Sequence, residues 1–167
     1  MADAQIQRGL KTAFEYTYRH DDWVSPLEDE WEGLSAEEAA WRPALDAKTI
    51  WEIVLHTAVW NENIIERITR GELTRPGEGS WPSMPSEPDE EAWEKAKQRL
   101  RRSLSTLEEF IGSVPLEKIE ASPYGLPDLL VRYIHIGYHL GQITKLREEI
   151  MRKRADSPSS HKEEFSL

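Results

Sequence analysis

Apolar residues in this chain recur every three to four positions, and no run alternates with the period of two that a half-buried strand needs. That restricts the fold to helices around a shared core. Ile6, Leu10, Ala13, Phe14 and Thr17 mark one face of a first helix, expected from about residue 4 to residue 24. Ser25-Pro26 breaks it, because proline cannot continue the hydrogen-bond ladder, and a short helical piece is expected over residues 27–32. Ser35-Ala-Glu-Glu38 and Thr49-Ile-Trp-Glu52 are capping boxes. The first opens one or two turns that stop near Arg42-Pro43. The second opens a strong helix carrying Ile53, Val54, His56, Trp60, Ile64, Ile65 and Ile68, with Gly71 as its stop.

Residues 74–88 hold four of the ten prolines and read as an irregular crossover, with Trp81 and Met84 tucked against the body. Trp93, Ala96, Leu100, Leu104, Leu107 and Ile111 define a third helix from near Asp89 to Gly112-Ser113. A fourth is expected from Pro127 to about Arg154, with Leu130, Tyr133, Ile134, Gly137, Leu140, Ile143, Leu146 and Ile150 available for its core face. Four long helices predict an all-α, four-helix bundle over residues 1–154, followed by a polar tail over 155–167. A chain of 167 residues suits one domain.

Composition narrows the chemistry. The net charge of −10 argues against binding a phosphate backbone. The chain has no cysteine, which excludes disulfides, cysteine zinc sites, a cysteine nucleophile and iron–sulfur clusters. The N-terminal residues show no signal-peptide pattern and no segment suits a spanning helix, so the expectation is a cytoplasmic protein with no membrane partner. Nucleotide-binding glycine loops and the Gly-x-Ser-x-Gly elbow are also missing.

What remains is histidine. His135 and His139 stand four apart and therefore share one face of the fourth helix. His56 sits among apolar neighbours in the second helix. If those helices face each other, three imidazoles can reach one divalent ion, as bonds of about 2.0–2.1 Å require. The alternative is three core histidines hydrogen-bonded within the protein. Burying their ring nitrogens without partners would be costly, and a shared cation would satisfy one nitrogen of each. Three neutral donors leave such an ion its full charge, so its open positions favour hydroxide, carboxylate or thiolate. Gln142 shares the His139 stripe and is a candidate to orient a ligand. Trp60 is a candidate pocket wall or plain core, and Glu52 a candidate acceptor for His56 or simply the capping partner of Thr49. Tyr138 is a candidate donor to a substrate. His20 and His161 read as surface and tail residues.

Three stretches carry a family likeness. Gly33-Leu-Ser-Ala-Glu-Glu-Ala-Ala-Trp-Arg-Pro43, Thr49-Ile-Trp-Glu-Ile-Val-Leu-His56-Thr-Ala-Val-Trp60 and His135-Ile-Gly-Tyr-His139-Leu-Gly-Gln-Ile143 together resemble the DinB-like superfamily, over about residues 6–150. The resemblance implies a DinB-like four-helix bundle with crossover loops in the order up-up-down-down, commonly a homodimer. It implies a divalent metal on His56, His135 and His139, with zinc or nickel ahead of iron or manganese. Characterised relatives include bacillithiol S-transferases and mycothiol-dependent maleylpyruvate isomerases. The expected activity is therefore a metal-dependent thiol S-transferase taking a small thiol and a small electrophile. The alternatives are a hydrolase using metal-bound hydroxide and a non-catalytic, metal-stabilised helical dimer. Some relatives carry a histidine where this chain has Val24.

Overall fold

A computed structural model describes residues 2–22 and 24–157. Among them the elements are α1 (Ala2–Glu15), α2 (Leu27–Trp31), α3 (Ala36–Ala39), α4 (Ile50–Arg70), α5 (Glu90–Ser113), α6 (Leu116–Glu120) and α7 (Gly125–Asp156), with no strand. The tail expected beyond residue 154 lies outside the described residues from 158 onward.

Both capping boxes form. Ser35 and Glu38 exchange side-chain and backbone bonds at the start of α3, and Thr49 and Glu52 do the same at α4. Each pair satisfies two amides that a helix start leaves unbonded. Gly71 closes α4 with φ +69°, a left-handed turn in which a Cβ would be strained. Asp89 caps α5 by accepting from the amide of Ala92.

The long helices form a closed ring in the order α1, α5, α4, α7. α4 packs on α5 and α7, α1 packs on α5, and α1 meets α7 where Tyr133 donates its hydroxyl to the Leu10 carbonyl at 2.9 Å. Trp31, Trp51 and Trp93 are fully buried, with Trp93 centred 5.3 Å from Trp51 and 6.5 Å from Trp31. Rings this large supply much of the apolar area a small core needs. Truncating one to alanine typically costs about 3–5 kcal/mol.

Contacts along the helices fix their directions. Trp51 meets Trp93 and Asn61 bonds Ser103, so α4 and α5 run parallel. Gln7 bonds the Ile111 and Val114 carbonyls, while Tyr18 bonds Glu108, so α1 runs against α5. His56 meets His135 and Arg67 meets Asp128, so α7 runs against α4. The bundle expectation holds, but its order is up-down-down-up rather than up-up-down-down. The physical reason is the proline-rich crossover. It returns along the whole of α4: Thr74 is beside Asn63, Ser80 beside His56, and Met84 beside Thr49. Only a parallel successor requires that return.

Other expectations are corrected. α1 stops at Glu15 rather than reaching residue 24. The Thr17 hydroxyl donates to the Phe14 carbonyl at 2.7 Å, and the run Tyr16-Thr17-Tyr18 is poor helix former. Ile6 and Ala13 are exposed, as are Leu130 and Ile134 on α7, because the buried stripe of α7 runs through Leu129, Tyr133, Ile136, Leu140 and Ile143 instead. That rotation turns the flank carrying His135 and His139 toward α4. The short helix α6 was not foreseen. With Ile119 as its one buried residue, it has too few turns to show a period.

A polar cluster ties α1 to α5. Glu108, on the buried side of α5, accepts from the Tyr18 hydroxyl at 2.7 Å and pairs with Arg19 at 2.6 Å and Lys11 at 3.2 Å. Burial opposes ionisation of Glu108, but the bonds from Tyr18 and Lys11 and the charge of Arg19 outweigh it and hold the group below the ordinary value of 4.5. A carboxylate depressed in the folded state contributes stability above its unfolded pKa and loses it as pH falls. Glu108→Gln is therefore expected to cost about 1–3 kcal/mol at neutral pH. The variant should also lose less stability than the parent below about pH 4.5. Urea unfolding at several pH values checks both.

Candidate metal centre

His56 stands on the buried face of α4, between Ile53 and Val59, and is 5% exposed. Antiparallel packing sets α7 against that face, and the four-residue spacing aligns His135 and His139 there. The His135 Nε2 lies 3.0 Å from the Nε2 of His56 and 3.0 Å from the Nε2 of His139. Ion bonds of about 2.0–2.1 Å place neighbouring ligand nitrogens roughly 3–3.4 Å apart, so the spacing suits one shared ion.

The outer ring nitrogens are held from behind. His56 Nδ1 donates to the Ser80 carbonyl at 2.5 Å. His139 Nδ1 donates to Gln142 Oε1 at 2.7 Å, and the Gln142 amide in turn donates to the Tyr138 hydroxyl at 3.0 Å. With those protons on Nδ1, both Nε2 atoms present lone pairs to His135. His135 has one proton at most to offer in its neutral form, and its Nδ1 is buried with no partner. A proton on Nδ1 is orphaned, and a proton on Nε2 serves only one neighbour. A cation among the three Nε2 atoms removes the conflict. Burial pushes the His56 imidazole down to about 4 and also lowers His139, so both rings are neutral, and thus competent ligands, at neutral pH.

The other sequence candidates divide. Gln142 and Tyr138 form the outer support of His139. Trp60 touches the site edge-on, 6.4 Å from His56, and its indole donates to the Ser80 hydroxyl at 3.0 Å. Glu52 is not part of the cluster. It caps α4 and pairs with Arg42 at 2.9 Å and with Lys48, an arrangement that keeps its carboxyl below the usual range despite partial burial. His20 packs on Tyr16 instead. Val24 lines a surface groove with Gly137 and Leu140, apart from the three imidazoles.

Sequence reasoning missed two contributions. Ser80 holds His56 through its backbone carbonyl, which no side-chain pattern announces. Trp81 stacks on the His56 ring with centroids 3.8 Å apart and planes within 16°, while Lys48 lies over its ring at 4.5 Å. Trp81 remains 37% exposed, so it covers the site rather than entering the core. A cavity of about 260 Å³ opens beside His135, lined by Trp60, Asn63, Arg67, Asp128 and Arg132 among others. The signal for Arg132 was its interruption of the most apolar segment of the chain.

The family described as the DinB superfamily matches residues 25–143, a span from before α2 into α7 that includes all three histidines. No curated protein and no solved structure matches the chain.

Elemental analysis of protein purified without a tag is expected to find about one divalent ion per chain, lost in His56→Ala. Gln142→Ala should weaken metal affinity by about 10–100-fold. Chelator should lower the melting temperature of the parent and leave that of His139→Ala unchanged. A metal-loaded parent with a chelator-insensitive melting curve would count against a stabilising metal.

Proposed function

The chain belongs to the DinB superfamily, and on that premise we propose that it is a metal-dependent thiol S-transferase acting on small electrophiles. The observation that carries this reading is the composition of the ligand set. All three donors are neutral imidazoles, and among the described residues no carboxylate hydrogen-bonds to them. A divalent ion held there keeps its full charge, acts as a Lewis acid and favours the thiolate form of a bound thiol.

The chain's own residues then bind and position. Ser80 and Gln142 lock the imidazole tautomers so that Nε2 faces inward. Trp81 shields the His56 side from water, and Trp60 walls the adjoining cavity where the electrophile would sit. The thiol proton leaves to solvent on ionisation. The sulfur forms its new bond to carbon as the electrophile's bond to its leaving group breaks, and that group departs to solvent with the electron pair, as chloride would from a chloromethyl compound. Hydrolysis by metal-bound hydroxide is the alternative reading, since the same three neutral donors favour hydroxide as well as thiolate, although Glu52, committed to the helix cap, is not placed to serve it as a general base. Zinc or nickel is the proposed ion, with iron or manganese as alternatives, since three imidazole nitrogens accept several divalent metals. A reducing cytoplasm is the proposed setting, since it keeps a thiol co-substrate reduced.

The exposed residues Leu130, Val131, Ile134 and Tyr138 form an apolar stripe on α7, with Ile134 71% exposed. That stripe supports the proposal of a homodimer formed by a second copy of the chain.

Two outcomes follow. Metal-loaded protein should consume a low-molecular-weight thiol together with an electrophile such as monochlorobimane, and His135→Ala should abolish turnover; product formation by water addition alone would defeat the transferase reading. Ile134→Lys should convert the dimer to a monomer, read by light scattering coupled to gel filtration, and an unchanged mass would remove α7 from the interface.

A further inference from the structure

Arg132 is the most unusual charged residue among those described. It is 6% exposed, and its Nε and Nη2 are buried with no hydrogen-bond partner. Those two atoms lie on one side of the guanidinium, the edge that grips a carboxylate with two parallel bonds. Arg99 uses the same edge elsewhere in this chain, with Nε 2.9 Å and Nη2 2.7 Å from the two oxygens of Glu62. Arg132 has the fork and lacks the carboxylate.

The neighbouring acid is already engaged. Asp128 stands one turn before Arg132, but its oxygens are 3.2 and 3.3 Å from Nη1 of Arg67. Arg67 also donates from Nε to the Thr74 carbonyl at 2.9 Å, which holds it in place. The cavity wall therefore carries two guanidiniums and one carboxylate. In a chain of net charge −10, this is a local excess of positive charge beside His135. Asn63 adds a second orphan to the same wall, its buried Oδ1, while its amide nitrogen donates to Thr74 at 2.9 Å. Burial lowers the guanidinium of Arg132 to about 9, which still leaves it charged at neutral pH. The charge of Asp128 favours the guanidinium and that of Arg67 opposes it, so the buried fork keeps its unmade hydrogen bonds at a cost to the fold that a bound partner would offset.

We infer that the cavity between α4 and α7 is a carboxylate subsite, in which Arg132 receives the carboxylate of an acidic substrate and presents the rest of it to the three-histidine centre. The inference deepens the transferase reading and rests on it for the fate of the bound molecule. Binding of the carboxylate itself needs only Arg132, the cavity and a local side-chain shift that opens Nε and Nη2 to it, since both atoms are sealed from solvent as they stand. Arg132 is accordingly a substrate-binding and specificity-determining residue.

The test uses succinate, its uncharged analogue succinamide, and inorganic phosphate as probes. Each is titrated calorimetrically into metal-free and zinc-loaded protein, parent and Arg132→Gln. Succinate is expected to bind the parent about tenfold or more tighter than succinamide. Arg132→Gln should erase that preference. Succinate should also raise the melting temperature of the parent more than succinamide does, a comparison that stands even if the variant folds poorly. Equal binding of succinate and succinamide, or an undiminished preference in Arg132→Gln, would overturn the inference. Tighter binding of phosphate than of succinate would overturn the assignment to a carboxylate. The metal-free arm separates this inference from the reading it rests on. A succinate preference in protein that takes up no metal would sink the transferase and leave the subsite. Metal uptake with no succinate preference would do the reverse.

Discussion

Three imidazole nitrogens, the Nε2 of His135 standing 3.0 Å from each of the other two, with at most one proton among them, set the terms for the rest of the molecule. The arrangement is uncomfortable without a cation and comfortable with one. It forms because α4 and α7 run antiparallel in contact, and because groups behind His56 and His139 hold the outer protons in place. The bundle, the crossover and the Tyr138–Gln142 pair converge on the same few cubic ångströms. Loosening any of them would relax the conflict that makes the site a receptor for positive charge.

The direction of the helices gives the crossover its role. Because α5 runs parallel to α4, the segment between them must retrace a helix of 21 residues, about 30 Å. That return journey carries Ser80 and Trp81 past His56. A tight hairpin between the two helices would have left His56 without its backbone acceptor and without its stacked indole. The loop is therefore a wall of the site, and the Arg99 bonds to Glu78 and Glu62 fasten it to α5 and α4 from outside.

Much of this was legible in the sequence, and the failures have physical causes. Capping boxes at Ser35 and Thr49 located helix starts because their chemistry is local. The spacing of His135 and His139 is likewise set by one helix. Helix direction is not local: it depends on which connection is long enough to cross, and both connections flanking α4 are long. The core face of α7 was misjudged at Leu130 and Ile134 because that helix carries apolar residues on two sides, one packed inward and one left exposed. Ser80 acts through its carbonyl, which every residue possesses, so its identity carried no signal. Arg132 interrupts the apolar run from Leu129 to Ile143, but its lack of a hydrogen-bond partner appears only when Asp128 is seen to face Arg67.

The parallel pairing of α4 and α5 also bears on how the chain reaches this state. Successive antiparallel helices can zip together from a short turn, whereas these two must first close the long segment between them. Contacts such as Asn61 with Ser103, His56 with His135 and Leu10 with Tyr133 join residues 42, 79 and 123 positions apart. Such pairings are reached only after large loops have been closed, which slows folding relative to an up-and-down bundle of the same size. The three-histidine cluster is itself such a long-range pairing, so no local segment of the chain can assemble it before α4 and α7 come together.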